Sequence, residues 1–335
     1  MRAFLEISKE NLVYNYKTIK ERTNKDIICV IKSNAYGHGL IEVAKTLVPL
    51  NPKMFAVSTI EEAALIRKNL IFTPILLLGT CDNLSFASNY RITLTIVSID
   101  YLKTLISANL PIFVHLLVNT GMNRDGLDEN EIKEALELIK NSKLLLRGIF
   151  THFASNDTYE LQNELFEQIL NNIPHEKLLI HSQATSTMLK NNNSSTAIRV
   201  GLALYGLNND LDLKPVLTLK AYPIVERKVN GHEKISYNSE PVEKEGYIYT
   251  LPIGYADGLN RNIKLSVFAN DKYYDQIGVM CMDHLMIFSD DELPKQTCFE
   301  IIGEHISIID LANKNATIPY EIVAKLSSRL KRLLK

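Results

Sequence analysis

Eight short apolar segments, separated by stretches with helical spacing, are the feature that most restricts the fold of this chain. Most of them are rich in isoleucine, leucine and valine, which is typical of strands buried on both faces. The segments are residues 27–31, 55–57, 75–78, 92–97, 112–118, 144–150, 177–181 and 197–200. Eight buried strands that alternate with helices predict an α/β fold, a (β/α)8 barrel of the TIM type.

Helical patterns separate the strands, and one of them, residues 59–68, lies between the second and third segments. Thr59 is positioned to cap this helix, with Glu62 three residues later as its capping-box partner. Residues 129–140 and 157–170 carry apolar side chains at the same helical period. An open dinucleotide-binding sheet is disfavoured, because no Gly-x-Gly-x-x-Gly turn follows the first strand.

The pattern of apolar and polar residues changes after about residue 220. Apolar and polar residues alternate there, turn signals stand at Asn230-Gly231, Pro252, Asn270-Asp271 and Gly278, and long helical patterns disappear. We therefore expect two domains, a barrel over residues 1–220 and a mainly-β domain over residues 221–335.

Composition excludes several classes of function. No apolar run nears the ~18 residues that a membrane-spanning helix needs, so we expect neither export nor membrane insertion. The four cysteines lack a Cys-x-x-Cys pair, which disfavours a disulfide framework and a metal site and favours the cytoplasm. The formal net charge of −1 gives no general attraction for nucleic acid.

Polar residues collect where the predicted strands end. Lys32, Arg124, His152 and His181 follow or end the first, fifth, sixth and seventh strands, and Arg199 lies within the eighth. Chemistry in such barrels is placed at the carboxyl ends of the strands, so these residues predict one site. A lysine buried there would have a lowered pKa and a nucleophilic amine.

Several motifs in this chain resemble those of alanine racemases, which hold pyridoxal 5′-phosphate (PLP) as a Schiff base on a lysine. The clearest is Val-Ile-Lys-Ser-Asn-Ala-Tyr-Gly-His-Gly over residues 30–39. Thr-Gly-Met-Asn-Arg at 120–124, Thr-His-Phe at 151–153 and Gly-Tyr-Ala-Asp-Gly at 254–258 follow in the family's order. The resemblance covers nearly the whole chain and implies a PLP-dependent alanine racemase.

The resemblance also implies a role for each matching residue. Lys32 and Tyr255 would be the two catalytic bases that exchange the α-proton on opposite faces of the substrate. Arg124 and the backbone of Met282 would bind the substrate carboxylate, with Arg124 also near the cofactor phenolate. His152 would stack on the pyridine ring, and Arg199 would donate to its nitrogen. The phosphate would be held by Tyr36, Thr185, Gly201, Leu202 and Tyr320.

A tyrosine base needs help, because a free phenol has a pKa near ~10. We expect His181 to lie between Tyr255 and Arg199 and to pass the influence of the cation along a hydrogen-bonded chain. Arg199 is also a poor proton source for the pyridine nitrogen. That weakens the electron sink and favours racemisation over transamination.

One position departs from the family pattern. Many members carry a lysine where this chain has Leu117, and that lysine is carbamylated and holds the loop arginine. Leucine has no such chemistry. Asn119 or a bound anion is our hypothesis for what orients Arg124 instead.

The resemblance implies a homodimer in which Tyr255 and Met282 of one chain complete the site built on Lys32 of the other. The product, D-alanine, would supply peptidoglycan precursors. The substrate range stays open, and a serine-type or broader racemase is the nearest alternative. A barrel decarboxylase is disfavoured by Arg199. A PLP-binding protein without robust catalysis is disfavoured because such proteins lack a second domain.

Overall fold

The barrel lies in the amino-terminal part of the chain. A computed structural model describes residues 3–208, 210–237 and 240–335. After a first strand, β1 (Phe4–Ile7), which lies outside the barrel, the closed barrel is formed by the parallel strands β2 (Asp26–Val30), β3 (Met54–Val57), β4 (Ile75–Leu77), β5 (Ile92–Ile96), β6 (Phe113–Leu117), β7 (Leu145–Phe150), β8 (Leu179–His181) and β9 (Ala197–Val200). Closure comes from pairing of β9 with β2. All eight predicted strands are confirmed, within two residues at each end.

Helices connect the strands. They are α1 (Lys9–Thr23), α2 (Lys32–Tyr36), α3 (Leu40–Leu47), α4 (Ile60–Lys68), α5 (Leu84–Asn89), α6 (Ile99–Ser107), α7 (Ile132–Lys140) and α8 (Tyr159–Asn171). The three predicted helical stretches are confirmed as α4, α7 and α8, and a 3-10 turn, Glu129–Glu131, precedes α7. Within the described ranges, none of the helices combines the length and apolarity needed to cross a membrane.

The start of α4 differs from the predicted capping box. Thr59 caps the helix as expected and accepts the N–H of Glu62 at 3.3 Å. The Glu62 carboxylate instead accepts the N–H of Ser58, at 3.0 Å, and that of Asn34, at 3.1 Å. The capping-box prediction is therefore wrong for Glu62, because the turn after β2 supplies a second backbone donor.

The carboxyl-terminal part of the chain is mainly β-structure. Its strands are β10 (Leu217–Ala221), β11 (Val225–Val229), β12 (Lys234–Ile235), β13 (Glu240–Pro241), β14 (Gly246–Leu251), β15 (Ser266–Ala269), β16 (Lys272–Asp275), β17 (Leu285–Ser289), β18 (Phe299–Ile302) and β19 (Lys331–Leu334). Two short helices, α9 (Ile308–Lys314) and α10 (Pro319–Lys325), lie between the last two strands. This architecture confirms the predicted fold class.

These strands form a six-stranded sheet in the order β16-β15-β18-β10-β1-β19, a three-stranded sheet β11-β14-β17, and the pair β12-β13. The first strand of the chain thus pairs with β10 and β19, far from it in sequence. The segment that precedes the barrel is therefore tied to the segment that ends the second domain. The domain boundary at residue 220 stays a prediction.

Candidate active site

A cavity of about 420 Å³ lies at the carboxyl end of the barrel strands. Eight of the predicted site residues line it, namely Lys32, Tyr36, Arg124, His152, Thr185, Arg199, Gly201 and Tyr320. They come from segments widely separated in sequence, and the closed barrel brings them together because parallel strands end on one face.

Lys32 follows β2 after a single residue and is half-buried at the cavity wall. Burial lowers the pKa of its amine, and the positive charge of Arg124 lowers it further, while Glu62 acts in the opposite direction. A lowered pKa leaves a larger fraction of neutral amine at a given pH. Lys32 is thus suited to nucleophilic attack or to proton abstraction.

The turn after Lys32 has an unusual backbone. Ser33, Asn34, Ala35 and Tyr36 all have φ near +53°, so α2 is a left-handed turn. A non-glycine residue in this region costs roughly 1 kcal/mol or more. Such a turn persists only where the surrounding structure holds it, and its effect is to direct Lys32 and Tyr36 toward one cavity.

Contacts from two distant segments and from one neighbouring residue hold this turn. Glu62 accepts the Asn34 N–H, the ring of His38 faces the Tyr36 carbonyl at 2.9 Å, and the Arg332 Nε–H donates to the Gly37 carbonyl at 2.9 Å. Sequence reasoning missed Glu62 and Arg332 as parts of the site. Neither position carries a local signal for these contacts, because each depends on tertiary structure.

Arg199 lies in β9 and is buried beneath the cavity. Its guanidinium donates to the backbone oxygens of Thr151, at 2.7 Å, and Ser182, at 3.1 Å, and to Nδ1 of His181 at 2.9 Å. Burial and the charge of Arg124 lower its pKa to about 9. Arg199 therefore remains a cation at neutral pH and has a fixed orientation.

His181 is fully buried, and burial together with Arg199 holds its pKa well below the usual range. Because Arg199 only donates, Nδ1 of the neutral His181 ring must accept. The Nε2–H then donates to Nδ1 of His115 at 2.9 Å. His115, in the middle of β6, was not among the predicted site residues; its only sequence signal is a histidine inside an apolar strand.

The expected position of His181 between Tyr255 and Arg199 is wrong. Both of its ring nitrogens already have partners, Arg199 and His115, so none is left for Tyr255. His152 is the histidine that both contacts Arg199, through Nδ1 at 3.3 Å, and lines the cavity. Burial and the cations Arg199, Arg124 and Lys32 lower the pKa of His152 to about 3, so its ring is neutral.

A compact group of polar atoms lies where β9 ends, and we call it the anion cradle; it is formed by Thr185, Gly201, Leu202, Tyr36 and Tyr320. Thr185 Oγ1 accepts the Gly201 N–H at 3.3 Å. Leu202 is buried and begins a 3-10 turn, Leu202–Tyr205; among the described residues no protein acceptor faces its N–H. A side chain at position 201 would place a Cβ 2.6 Å from the Tyr36 hydroxyl. A side chain here would displace Tyr36, so glycine is favoured, and the Leu202 N–H beside these hydroxyls suits an anion.

Two tyrosines close the cradle. The rings of Tyr36 and Tyr320 lie 5.9 Å apart, and Tyr36 also packs against Tyr205 at 5.4 Å. Burial raises the pKa of both Tyr36 and Tyr320. Both therefore remain neutral phenols that can donate hydrogen bonds to an anion.

Arg124 lies at the cavity on a loop that closes on itself. Asn119 and Leu127 are joined by a backbone hydrogen bond of 2.9 Å, and the Asn119 side chain accepts the N–H groups of Gly121 and Asn123. The hypothesis that Asn119 orients the Arg124 guanidinium is wrong, because its amide is used within the loop. The Arg124 Nε–H donates to Asp125 at 3.1 Å.

Tyr255 and Met282 lie side by side in the second domain. The Tyr255 N–H donates to the Cys281 carbonyl at 3.2 Å, and the next N–H, of Ala256, donates to that of Met282 at 3.0 Å. Their side chains are exposed, Tyr255 by 37% and Met282 by 54%. Within the described part of this single chain, neither residue lines the cavity around Lys32.

Comparison with known proteins identifies the family. The family model described as alanine racemase, N-terminal domain, matches residues 7–209, and that described as alanine racemase, C-terminal domain, matches residues 216–334. Alanine racemase 1 of Bacillus subtilis is 32% identical over 98% of this chain and 91% of its own length. The alanine racemase of Fusobacterium nucleatum is 34% identical over the full length of both chains.

Solved structures agree with the sequence relatives. Alanine racemase from Bacillus anthracis with bound L-Ala-P superimposes with a TM-score of 0.92 at 28% identity, over 100% of this chain and 95% of that one. A histidine racemase from Leuconostoc mesenteroides also gives 0.92, at 26% identity, over 100% and 98%. From its two matched domains and these relatives, the chain belongs to the alanine racemase family, whose members are PLP-dependent racemases.

Proposed function

We propose that this chain is an alanine racemase that interconverts L-alanine and D-alanine with PLP. One observation supports this most directly: the cavity gathers a lysine of lowered pKa, a buried arginine and an anion cradle in one space. These are the groups that PLP requires for its aldehyde, its pyridine nitrogen and its phosphate.

The lining residues support a role for each in holding the cofactor. Lys32 would form the covalent link, Arg199 would donate to the ring nitrogen, and His152 would lie against the ring. Thr185, Tyr36, Tyr320 and the N–H groups of Gly201 and Leu202 would bind the phosphate. When bound, PLP supplies the electron sink for the α-carbon, while the protein supplies orientation and proton transfer.

Racemisation needs a base on each face of the substrate, and we assign these roles to Lys32 and Tyr255. Lys32 can hold or release a proton at Nζ, because its lowered pKa brings it closer to neutral pH. Tyr255 does not line the cavity of its own chain. A homodimer in which Tyr255 and Met282 enter the partner's cavity would complete two equivalent sites.

The Tyr255 hydroxyl needs a nearby cation if it is to act as a base at neutral pH. His152 supports this role better than His181, since its ring contacts Arg199 and also reaches the cavity. A neutral His152 that accepts from Arg199 at Nδ1 carries its proton on Nε2. That N–H would donate to the Tyr255 oxygen and favour the phenolate.

The first test is an absorbance spectrum of the protein with added PLP, followed by deuterium exchange at the α-carbon of L-alanine in heavy water. Wild type should show a PLP absorption band and form D-alanine. Lys32→Ala should lose the band, and Tyr255→Phe should keep it without forming D-alanine. A band without exchange would contradict racemisation, and no band would contradict the cofactor.

The second test concerns the shared site. Lys32→Ala and Tyr255→Phe chains are unfolded together and refolded as a mixture. Half of the random dimers are mixed and carry one intact site of two, so activity should return to about a quarter of wild type. Each variant unfolded and refolded alone is the control. Absence of recovery in dimers shown to be mixed would contradict a shared site.

The substrate range is a separate proposal. Alanine is favoured by the relatives, but the similarity to a histidine racemase makes L-histidine and L-serine the amino acids to assay beside it. If racemisation of either is faster than that of alanine, that amino acid replaces alanine as the proposed substrate.

We further propose that the enzyme is cytoplasmic and that its D-alanine supplies peptidoglycan precursors. A requirement of a deletion strain for D-alanine in order to grow would test the second of these roles.

A further inference from the structure

We propose that Asp125 is a positioning residue for substrate binding. Its carboxylate holds the Arg124 guanidinium by Nε, so that the two terminal nitrogens are left for the carboxylate of an amino-acid substrate. This inference rests on the proposed function, because it assumes that Arg124 binds that carboxylate.

The backbone of the loop is fixed independently of the guanidinium. The Gly126 N–H donates to the Val97 carbonyl at 2.9 Å, and the Leu127 N–H donates to the Leu117 carbonyl at 2.9 Å. Gly126 has φ of +106°, and a Cβ there would lie 2.8 Å from the Asn119 nitrogen. Loop closure therefore sets where Arg124 begins, but it does not set the direction of its flexible side chain.

Among the described residues, the barrel wall gives the Arg124 guanidinium no hydrogen-bond partner. Leu117 lines the cavity at the end of β6, is 4% exposed, and carries no polar atom. The Asn119 amide nitrogen donates to Asn123, at 3.0 Å, and to Asp128, at 2.9 Å. In the part of the chain that the structure describes, Asp125 is the one residue that accepts a hydrogen bond from Arg124.

The position of this hydrogen bond matters because a guanidinium has two edges that bind carboxylates. One edge combines Nε–H with one terminal nitrogen, and the other combines both terminal nitrogens. Asp125 occupies Nε at 3.1 Å and also lines the cavity. A substrate carboxylate is left with the edge formed by the terminal nitrogens, and this fixes one binding orientation.

Arg124 is also an electrostatic neighbour of the whole site. Its positive charge lowers the pKa of Lys32, Arg199 and His152. A mobile guanidinium would vary this influence from one moment to the next. A partner that keeps Arg124 in one place therefore serves the chemistry as well as substrate binding.

Two substitutions separate the hydrogen bond from the charge. Asp125→Ala removes the acceptor and the charge, whereas Asp125→Asn keeps a carbonyl oxygen in the same place and removes only the charge. For Asp125→Ala we expect KM for L-alanine to rise about 5-fold, the upper range for exposed pairs, with kcat changed less than about 2-fold. Asp125→Asn should keep KM within about 2-fold of wild type.

Asp100→Asn, an exposed acidic residue at the start of α6, is the matched control and should leave KM unchanged. Asp125→Glu should restore much of the binding lost in Asp125→Ala. Equal KM values in Asp125→Ala and Asp125→Asn would overturn the inference, since charge alone would then explain the effect. A KM unchanged in Asp125→Ala would overturn it as well.

Calorimetric titration with propionate, a substrate-like carboxylate that carries no amine, separates this inference from the proposed function. Wild type and Asp125→Asn should bind propionate about 5-fold more tightly than Asp125→Ala. Wild type that binds propionate but does not racemise alanine would refute the proposed function and leave the role of Asp125 supported. Racemisation with equal propionate affinity in all variants would refute the role of Asp125 alone.

Discussion

Gly201 marks the tightest point of the anion cradle. The Tyr36 hydroxyl lies 2.6 Å from where a Cβ would stand, closer than side chains tolerate. In Gly201→Ala, Tyr36 must move, and the hydroxyl that we propose as a phosphate donor is displaced. We expect PLP affinity to fall about 10-fold, the effect of one charge-assisted hydrogen bond, as measured by fluorescence titration of the apoprotein.

Gly231→Ala is the control for this prediction. A Cβ at Gly231 would meet its nearest atom, the Glu243 carbonyl oxygen, at 3.4 Å, which is ordinary contact. PLP affinity should remain at the wild-type value there. Tight PLP binding by Gly201→Ala would show that Tyr36 is not needed for the phosphate.

His38 makes stability depend on pH. Its ring is fully buried against Tyr205 at 4.2 Å, and burial lowers its pKa from 6.5 to about 4. The unfolded chain therefore binds a proton that the folded chain excludes as pH falls from 6.5 toward 4. The contribution is complete above pH 6.5, and about 2 kcal/mol of it is lost by pH 5.

His38→Asn tests this dependence, because Asn keeps a donor for the Tyr36 carbonyl and has no titratable group. The variant should be less stable at pH 7.5 but lose about 2 kcal/mol less than wild type between pH 7.5 and 5. Denaturant unfolding at both pH values measures the difference. His232→Asn, at an exposed position, should keep the wild-type slope; a similar change in both variants would remove His38 as the cause.

At the scale of elements, the left-handed turn α2 depends on α4. Glu62 reaches from α4 to the N–H groups of Asn34 and Ser58. In Glu62→Ala both donors lose their acceptor, so the turn should loosen at a cost of about 2 kcal/mol. The pKa of Lys32 should also fall, because Glu62 raises it.

Hydrogen exchange across residues 32–38 measures the first effect, and the pH dependence of Lys32 acylation in the apoprotein measures the second. Glu61→Ala changes the neighbouring, exposed carboxylate of the same helix and should alter neither. Unchanged exchange in Glu62→Ala would mean that other contacts suffice to hold the turn.

The strands and helices were predictable because each depends on local pattern. Buried parallel strands such as β3 are continuous apolar runs, and α4 carries its own cap in Thr59. The contacts of polar side chains were harder to predict. Glu62 matched a local capping box, but its carboxylate found a tertiary donor in Asn34, and no local pattern distinguishes these outcomes.

The same reason explains the outcome within the site. Motif order placed eight predicted residues at one cavity, since the barrel brings strand ends together. It did not indicate which histidine contacts what. His181 and His152 both contact Arg199. Only the position of His115 behind His181 shows that both ring nitrogens of His181 already have hydrogen-bond partners.

At the scale of the whole molecule, Arg332 links the last strand, β19, to the left-handed turn α2. Its guanidinium donates to the Gly37 carbonyl and to the carbonyls of Leu326, Ser327 and Leu330. In Arg332→Ala these acceptors lose a partly buried donor. We expect unfolding free energy to fall by about 3 kcal/mol and PLP to dissociate faster.

Thermal unfolding and the rate of PLP loss to a carbonyl trap measure these two effects. Lys331→Ala, at the exposed preceding position of β19, is the control and should resemble wild type. If Arg332→Ala is less stable but releases PLP at the wild-type rate, Arg332 stabilises the second domain without supporting the turn α2.

The pairing of β1 with β19 has a consequence for the order of events during protein synthesis. The barrel strands leave the ribosome early, yet β1 lacks its parallel neighbour until translation has passed residue 334. Arg332 cannot donate to the Gly37 carbonyl before then either. A nascent chain can therefore assemble its barrel as it emerges, while the left-handed turn α2 gains its last support only after this segment has been made. We expect this order to delay cofactor capture until the second domain exists.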